Sequence, residues 1–153
     1  MVPDLSGSVT VAAPIQRAFD VFTKSFGTWW PSDYHIGAAD IADAIIEPRV
    51  GGRWFERGAD GSECDWGTVL EFSPPNRVVL AWHLDPSWSY DPNPERASRV
   101  EVTFADAGDG TTRVELVHSH IERHGTGWQK IRDSVNAADG WSEILGRFGA
   151  AAG

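Results

Sequence analysis

The stretch Val9-Thr-Val-Ala-Ala-Pro-Ile-Gln-Arg-Ala-Phe-Asp-Val-Phe22 changes its period halfway along. Val9 to Ala13 read as a short strand, and Pro14 then supplies a first helical position, where no N–H is needed. Beyond it Ile15, Ala18, Phe19, Phe22 and Phe26 fall at i, i+3, i+4, i+7 and i+11, with Gln16, Arg17, Asp20 and Lys24 on the other side. The spacing predicts a helix over 14–25 with one buried face. Gly27 ends it, and Trp29-Trp30-Pro31 starts a short second turn or helix before a polar loop over 32–40.

From Ile41 to His120 the period becomes two, and turn signals recur at Gly58-Ala-Asp-Gly61, Pro74-Pro-Asn76 and Ala107-Gly-Asp-Gly110. Strands are expected over 41–48, 52–57, 63–73, 77–84, 98–105 and 112–120, as a meander of hairpins. The long connection from Asp85 to Ala97 holds Pro86, Pro92 and Pro94 together with Trp88 and Tyr90, and its length marks it as a candidate gate. After Gly127 the chain turns helical, breaks near Asp139-Gly140, and resumes with Trp141, Ile144, Leu145 and Phe148 in one apolar stripe. The tail over 149–153 is expected to fray.

At 153 residues the chain forms one domain, expected to span 1–153. Its formal charge of -9 argues against nucleic acid as a partner. Cys64 is the sole cysteine, so no internal disulfide forms and a reducing, cytoplasmic setting is expected. Flanking Glu63 and Asp65 disfavour its thiolate, which makes it structural. Met1 to Ser8 show neither the basic nor the apolar region of a secretory leader, and no apolar run suits membrane insertion. Eight tryptophans stand beside seven phenylalanines and two tyrosines, and indoles serve cores and ligand clefts equally well.

The order strand, helix, short helix, six-stranded meander and C-terminal helix resembles the helix-grip fold of the START-like (SRPBCC) superfamily. Glu47-Pro-Arg-Val-Gly-Gly-Arg-Trp54, Gly67-Thr-Val-Leu-Glu-Phe-Ser-Pro-Pro-Asn-Arg-Val78 and Gly140-Trp-Ser-Glu-Ile-Leu145 resemble the AHSA1 (activator of Hsp90 ATPase homologue 1-like) family in particular. The likeness covers nearly the whole chain. It implies an α+β domain whose curved antiparallel sheet wraps around a long C-terminal helix and encloses a hydrophobic or amphipathic small molecule. Related scaffolds host lipid carriers, polyketide aromatases and cyclases, and self-sacrifice resistance proteins, so activity must be argued from the cavity. Binding, carriage or sequestration of a lipid, polyketide or other natural product is the leading expectation. A polyketide aromatase or cyclase using cavity histidines, and an Hsp90 co-chaperone-like module, are the alternatives. The eukaryotic activators carry an additional N-terminal domain that the residues before Val9 are expected not to supply.

Period two assigns the lining. Leu80, Trp82 and Leu84 share one strand face, and Val100, Val102 and Phe104 share another. Val114, Leu116, His118 and His120 alternate on the last strand, which places both histidines toward the core. The expected ligand-binding set is Trp54, Trp66, Leu80, Trp82, Trp88, Tyr90, Val102, Phe104, Leu116, His118, His120 and Trp141. The histidine pair with Glu122 and His124 has donor spacings that suit zinc or iron, but hydrogen bonding is the commoner use and no metal site is assigned. No nucleophile motif, phosphate-binding loop or cofactor signature is present, so no catalytic residue and no cofactor is assigned. Gly51, Gly52 and Gly67 read as bends in a curved sheet, the alternative being backbone offered to a ligand, as in calicheamicin-type resistance proteins.

Overall fold

The structure is a computed structural model that describes residues 4–153. Met1, Val2 and Pro3, the start of the stretch read as leaderless and of the 1–153 domain, lie outside the described residues. Seven strands form one antiparallel sheet: β1 (Leu5–Val11), β2 (Ile41–Ile46), β3 (Arg53–Gly58), β4 (Glu63–Ser73), β5 (Arg77–Trp82), β6 (Ser98–Gly108) and β7 (Thr111–Ser119). Their order is β1-β7-β6-β5-β4-β3-β2, so the meander runs in sequence and β1 closes it by pairing with β7. Helices α1 (Ile15–Thr23), α2 (Phe26–Trp29), α3 (Trp128–Asn136) and α4 (Trp141–Ala152) accompany it. The sheet curls as a half-barrel with α4 against its concave side, the helix-grip arrangement.

The first strand begins earlier than its pattern suggests. It spans Leu5–Val11, because Leu5 to Val11 pair residue by residue with His118 to Thr112, while the segment read as its end, Ala12-Ala13, turns into α1. The carbonyl of Ala13 accepts from the Thr112 hydroxyl at 2.8 Å.

On the concave side cross-strand rows follow the register. Trp54, Gly67, Trp82 and Ser98 form one row; Leu80, Val100, His118 and Leu5 form the next; Val78, Val102, Leu116 and Gly7 the third. Phe104 and Val114 lie beyond. At that far end α1 plugs the sheet: the Phe19 ring meets Phe72 at 5.3 Å and Phe104 at 5.2 Å, and Phe22 meets Phe148 of α4 at 5.2 Å. Edge-to-face pairs of this kind add to the burial of large apolar surface. On the convex side Arg53 covers the Phe55 ring at 3.9 Å and pairs with Asp65 at 2.7 Å, so long polar side chains shield the apolar residues facing outward.

The tail does not fray. Helix α4 continues to Ala152, which is fully buried, and the Ala152 carbonyl accepts from Arg17 Nε of α1 at 2.9 Å. Small residues let α4 lie close to β1, where Gly149 faces Val9 and Gly7 faces Leu145, and the Ala/Gly composition of the tail gives no hint of that crossing. Among the described residues no helix is long and apolar enough to cross a membrane.

Candidate functional site

A cavity of about 840 Å³ opens between the near end of the sheet and the start of α4. Trp54, Trp66 and Trp82 form its sheet wall. Trp30, at the end of α2, and Tyr34, His35 and Ile36 from the following loop form one side. Trp141 and Ile144 of α4, with Val135, Ala137 and Asp139 at the α3–α4 break, form the roof. Ser87, Trp88 and Ser89 stand at the mouth. Six of the eight tryptophans therefore face one space. Their ring centroids run as a belt: Trp30 to Trp66 at 5.1 Å, Trp66 to Trp54 at 5.7 Å, Trp54 to Trp82 at 6.0 Å, and Trp82 to Trp141 at 5.9 Å.

Each side of the belt has its own anchor. Glu56 of β3 is buried, yet its carboxylate accepts from Trp66 Nε1 at 2.9 Å, Ile36 N at 2.6 Å and Gly37 N at 3.2 Å. Three donors satisfy a carboxylate that would otherwise be costly to bury, and they tie the 34–37 loop to the sheet. Trp30 Nε1 donates to the Tyr34 carbonyl at 2.8 Å, and the Tyr34 hydroxyl donates to the Asp139 carbonyl at 2.6 Å, which joins that loop to the roof. Burial, then nearby Asp139 and Glu143, raises the Tyr34 phenol, so it stays a donor.

The roof is held from beneath by a relay. Trp141 Nε1 donates to His118 Nδ1 at 3.1 Å; His118 Nε2 lies 2.7 Å from Ser98 Oγ, and Ser98 Oγ lies 2.8 Å from His124 Nε2. An indole N–H can only donate, so His118 Nδ1 must accept and its Nε2 must carry the proton. The direction then propagates: His118 donates to Ser98, and Ser98 to His124. Complete burial lowers His118 from 6.5 to about 3, with His124 a lesser cause. Burial likewise lowers His124 to about 4, against the opposing pull of Asp85 and Asp91. Both imidazoles are neutral near pH 7.

Trp88 sits in the left-handed region, with φ of 60°, in a turn whose Asp85 carboxylate accepts from Ser87 N and Ser89 N. An L-residue with a large side chain is strained there. The turn is pinned by a bridge between Leu84 and Tyr90, and it lays the Trp88 ring 6.4 Å from that of Trp82.

Of the residues assigned from strand faces and motifs, Trp54, Trp66, Trp82, Trp88 and Trp141 lie on the cavity wall. Leu80, Val102 and Leu116 occupy the next two rows of the same face and are buried in the core instead. Phe104 is sealed under α1. Tyr90 turns outward, partly exposed, against His83. His118 is fully buried behind Trp141 rather than on the wall. The expectation that His120 shares its face is corrected: β7 ends at Ser119, His120 takes φ of 60°, and its side chain is 47% exposed beside Glu122. Gly51, Gly52 and Gly67 are not on the wall. A Cβ at Gly67 would stand 1.7 Å from the Ala81 carbonyl oxygen, so the glycine serves a close approach of strands at an irregular stretch of the β3–β4 ladder. No cluster of potential metal ligands occurs among the described residues.

Sequence reasoning missed Trp30, the 34–37 loop and Ser98 as parts of the site; it found the break near Asp139-Gly140, and it noted His124 only for its donor spacing and not as a partner of Ser98. Only the Trp29-Trp30 doublet, on either side of a helix end, was a usable signal.

A family profile described as "Activator of Hsp90 ATPase homolog 1-like protein" matches residues 12–153. The solved structure of an anthrahydroquino-gamma-pyrone synthase, Txn09, complexed with SUM, is 40% identical, with a TM-score of 0.69, and the match covers 97% of this chain and 96% of that one. CalC from Micromonospora echinospora, a self-sacrificing resistance protein, is 32% identical, with a TM-score of 0.71, over 98% of this chain and 94% of that one. No curated protein matches.

Proposed function

Because the chain belongs to the family of activator of Hsp90 ATPase homologue 1-like proteins, in the company of polyketide-related and self-resistance proteins, we propose that its cavity binds a flat, polycyclic aromatic natural product. One observation carries the reading: six indoles converge on a single cavity of about 840 Å³. That size is within the range of small-molecule pockets, and the wall is apolar with a few polar groups at its rim. Indole faces and edges at 5–6 Å spacing offer stacking and edge contacts to a planar ring system. A flexible lipid chain would gain burial and dispersion from the same wall but none of these ring-to-ring contacts.

Chemical conversion of the bound molecule is the second reading, favoured by the 40% identical synthase. The histidines first nominated for it are poorly placed, since His118 is spent on Trp141 and Ser98 and His120 is outside. His35 is the histidine on the wall, and its Nδ1 lies 2.9 Å from the Gly37 carbonyl.

Titration with Nile red, an uncharged polarity-sensitive dye, tests the binding reading. Energy transfer from tryptophan should saturate at one dye per chain. Trp82→Glu should weaken binding by tenfold or more, and Glu115→Lys on the convex face should leave it unchanged. Equal effects in folded variants place the site elsewhere. Mass spectrometry of an aromatic polyketide ketone incubated with the protein separates binding, which returns it unchanged, from conversion.

A further inference from the structure

Four of the five buried or half-buried indoles deep in the cavity wall have spent their N–H. Trp30 donates to the Tyr34 carbonyl, Trp66 to Glu56, Trp82 to the Leu84 carbonyl at 3.0 Å, and Trp141 to His118. Trp54 is different. It is only 1% exposed, and its Nε1 has no acceptor among the described residues. A buried donor without a partner forfeits its hydration and gains nothing in return. Burial of the ring face alone leaves that N–H a cost, which a ligand acceptor would remove.

The ring's position adds a direction. Trp54 is the middle of the belt, between Trp66 and Trp82. Its Cε3 edge is turned toward Gly67 of β4, 3.4 Å from where a Cβ would stand. The pyrrole edge with Nε1 is therefore on the other side of the ring from that strand. At the exposed rim the lining includes two acidic residues, Asp133 and Asp139, beside Ser87, Ser89 and Ser134.

We infer that the Trp54 N–H is the specificity contact of the cavity and receives a carbonyl oxygen of the aromatic ligand, which makes an aromatic ketone or quinone the preferred class, with hydroxyl or amine substituents toward the acidic rim. This rests on the reading of the cavity as an aromatic-ligand site. Since Nε1 is covered, the carbonyl reaches it only as the ring wedges between neighbouring indoles. The match is then selective, because a hydrocarbon of the same shape parts the belt and leaves the donor unmet.

The test uses 9-fluorenone and fluorene, which differ in a carbonyl against a methylene, titrated calorimetrically into the full chain and into Trp54→Phe. The ratio of fluorenone to fluorene affinity should fall by about tenfold in the variant, the value of one hydrogen bond, while fluorene binding stays within about threefold. An unchanged ratio overturns the inference and leaves the cavity reading standing; failure of both compounds to bind the unaltered protein overturns both. Should Trp54→Phe not fold, the unaltered protein labelled with 15N at its indoles gives the answer. The Trp54 N–H resonance, connected through its own ring protons to the Hε3 whose nuclear Overhauser contacts reach Gly67, should move downfield with fluorenone and not with fluorene. Equal shifts, or a shift at another indole alone, overturn the inference.

Discussion

Acidification from pH 8 to pH 5 should destabilise the protein by about 2 kcal/mol through His118 alone. In the folded state His118 is neutral down to about pH 3, because it is buried and its Nδ1 already accepts from Trp141. In the unfolded chain it titrates near 6.5. Between those values the unfolded state holds more protons, so stability rises with pH there: it is complete above pH 6.5 and is lost as pH falls toward the folded value. At pH 5 the unfolded imidazole is 1.5 pH units below its midpoint, and about 1.36 kcal/mol per unit gives about 2 kcal/mol. His124, lowered to about 4, adds loss over the same window with the same sign. Urea denaturation at pH 8, 7, 6 and 5 measures this as a falling midpoint with an unchanged slope. His118→Leu should be less stable at pH 8, but its pH dependence should be flatter by about 2 kcal/mol. A wild-type midpoint that is flat from pH 8 to 5, or an imidazole C–H of His118 that titrates above pH 5 in the folded protein, refutes the relay.

Ser98→Ala leaves His118 Nε2 and His124 Nε2 without their shared partner, and it should cost about 1–3 kcal/mol in urea denaturation; a neutral result denies the relay its structural role. Trp88→Gly relieves the left-handed strain while removing the mouth indole, so it should be more stable than Trp88→Ala by about 1 kcal/mol, and both should bind Nile red more weakly. The reverse stability order would mean that the turn is not strained. Gly67→Ala should lose more than about 3 kcal/mol or fail to fold, because its Cβ collides with β5 backbone that cannot retreat without breaking the ladder; circular dichroism and a melting curve near wild type would contradict that geometry.

Strand order and faces were legible because period two reports which side of a sheet a residue takes. Ser98, Val100, Val102 and Phe104 are indeed buried on one side of β6, and Thr112, Val114, Leu116 and His118 on one side of β7. Which part of that side meets the cavity was not legible. Alternation assigns a face, but it carries no information on where a helix laid across it begins and ends, so Phe104 and Trp82 look alike in sequence though α1 covers one and not the other. His120 escaped for a different reason: a single left-handed residue ends the strand early, and nothing in the alternation marks it. The loop residues Tyr34 to Gly37 have no period at all, and the buried Glu56 that holds two of their amides sits on a strand as one more charged residue.

The division of the concave surface has a consequence for how this protein can change. The α1 end, with Phe19, Phe22, Phe104 and Phe148, and the indole end, with Trp54, Trp82 and Trp141, are separated by two full cross-strand rows. Substitutions more than about 7–10 Å apart with no shared partner combine nearly additively. Selectivity and robustness thus reside in different neighbourhoods joined by Phe26, whose ring meets Phe22 at 6.2 Å and Trp54 at 6.3 Å, so a redesign can re-line the indole end and restore the melting temperature from the phenylalanine end as long as Phe26 is kept. Trp141 is coupled in another way, because replacing it disturbs a recognition surface and, through His118 and Ser98, the contacts of two strands at once.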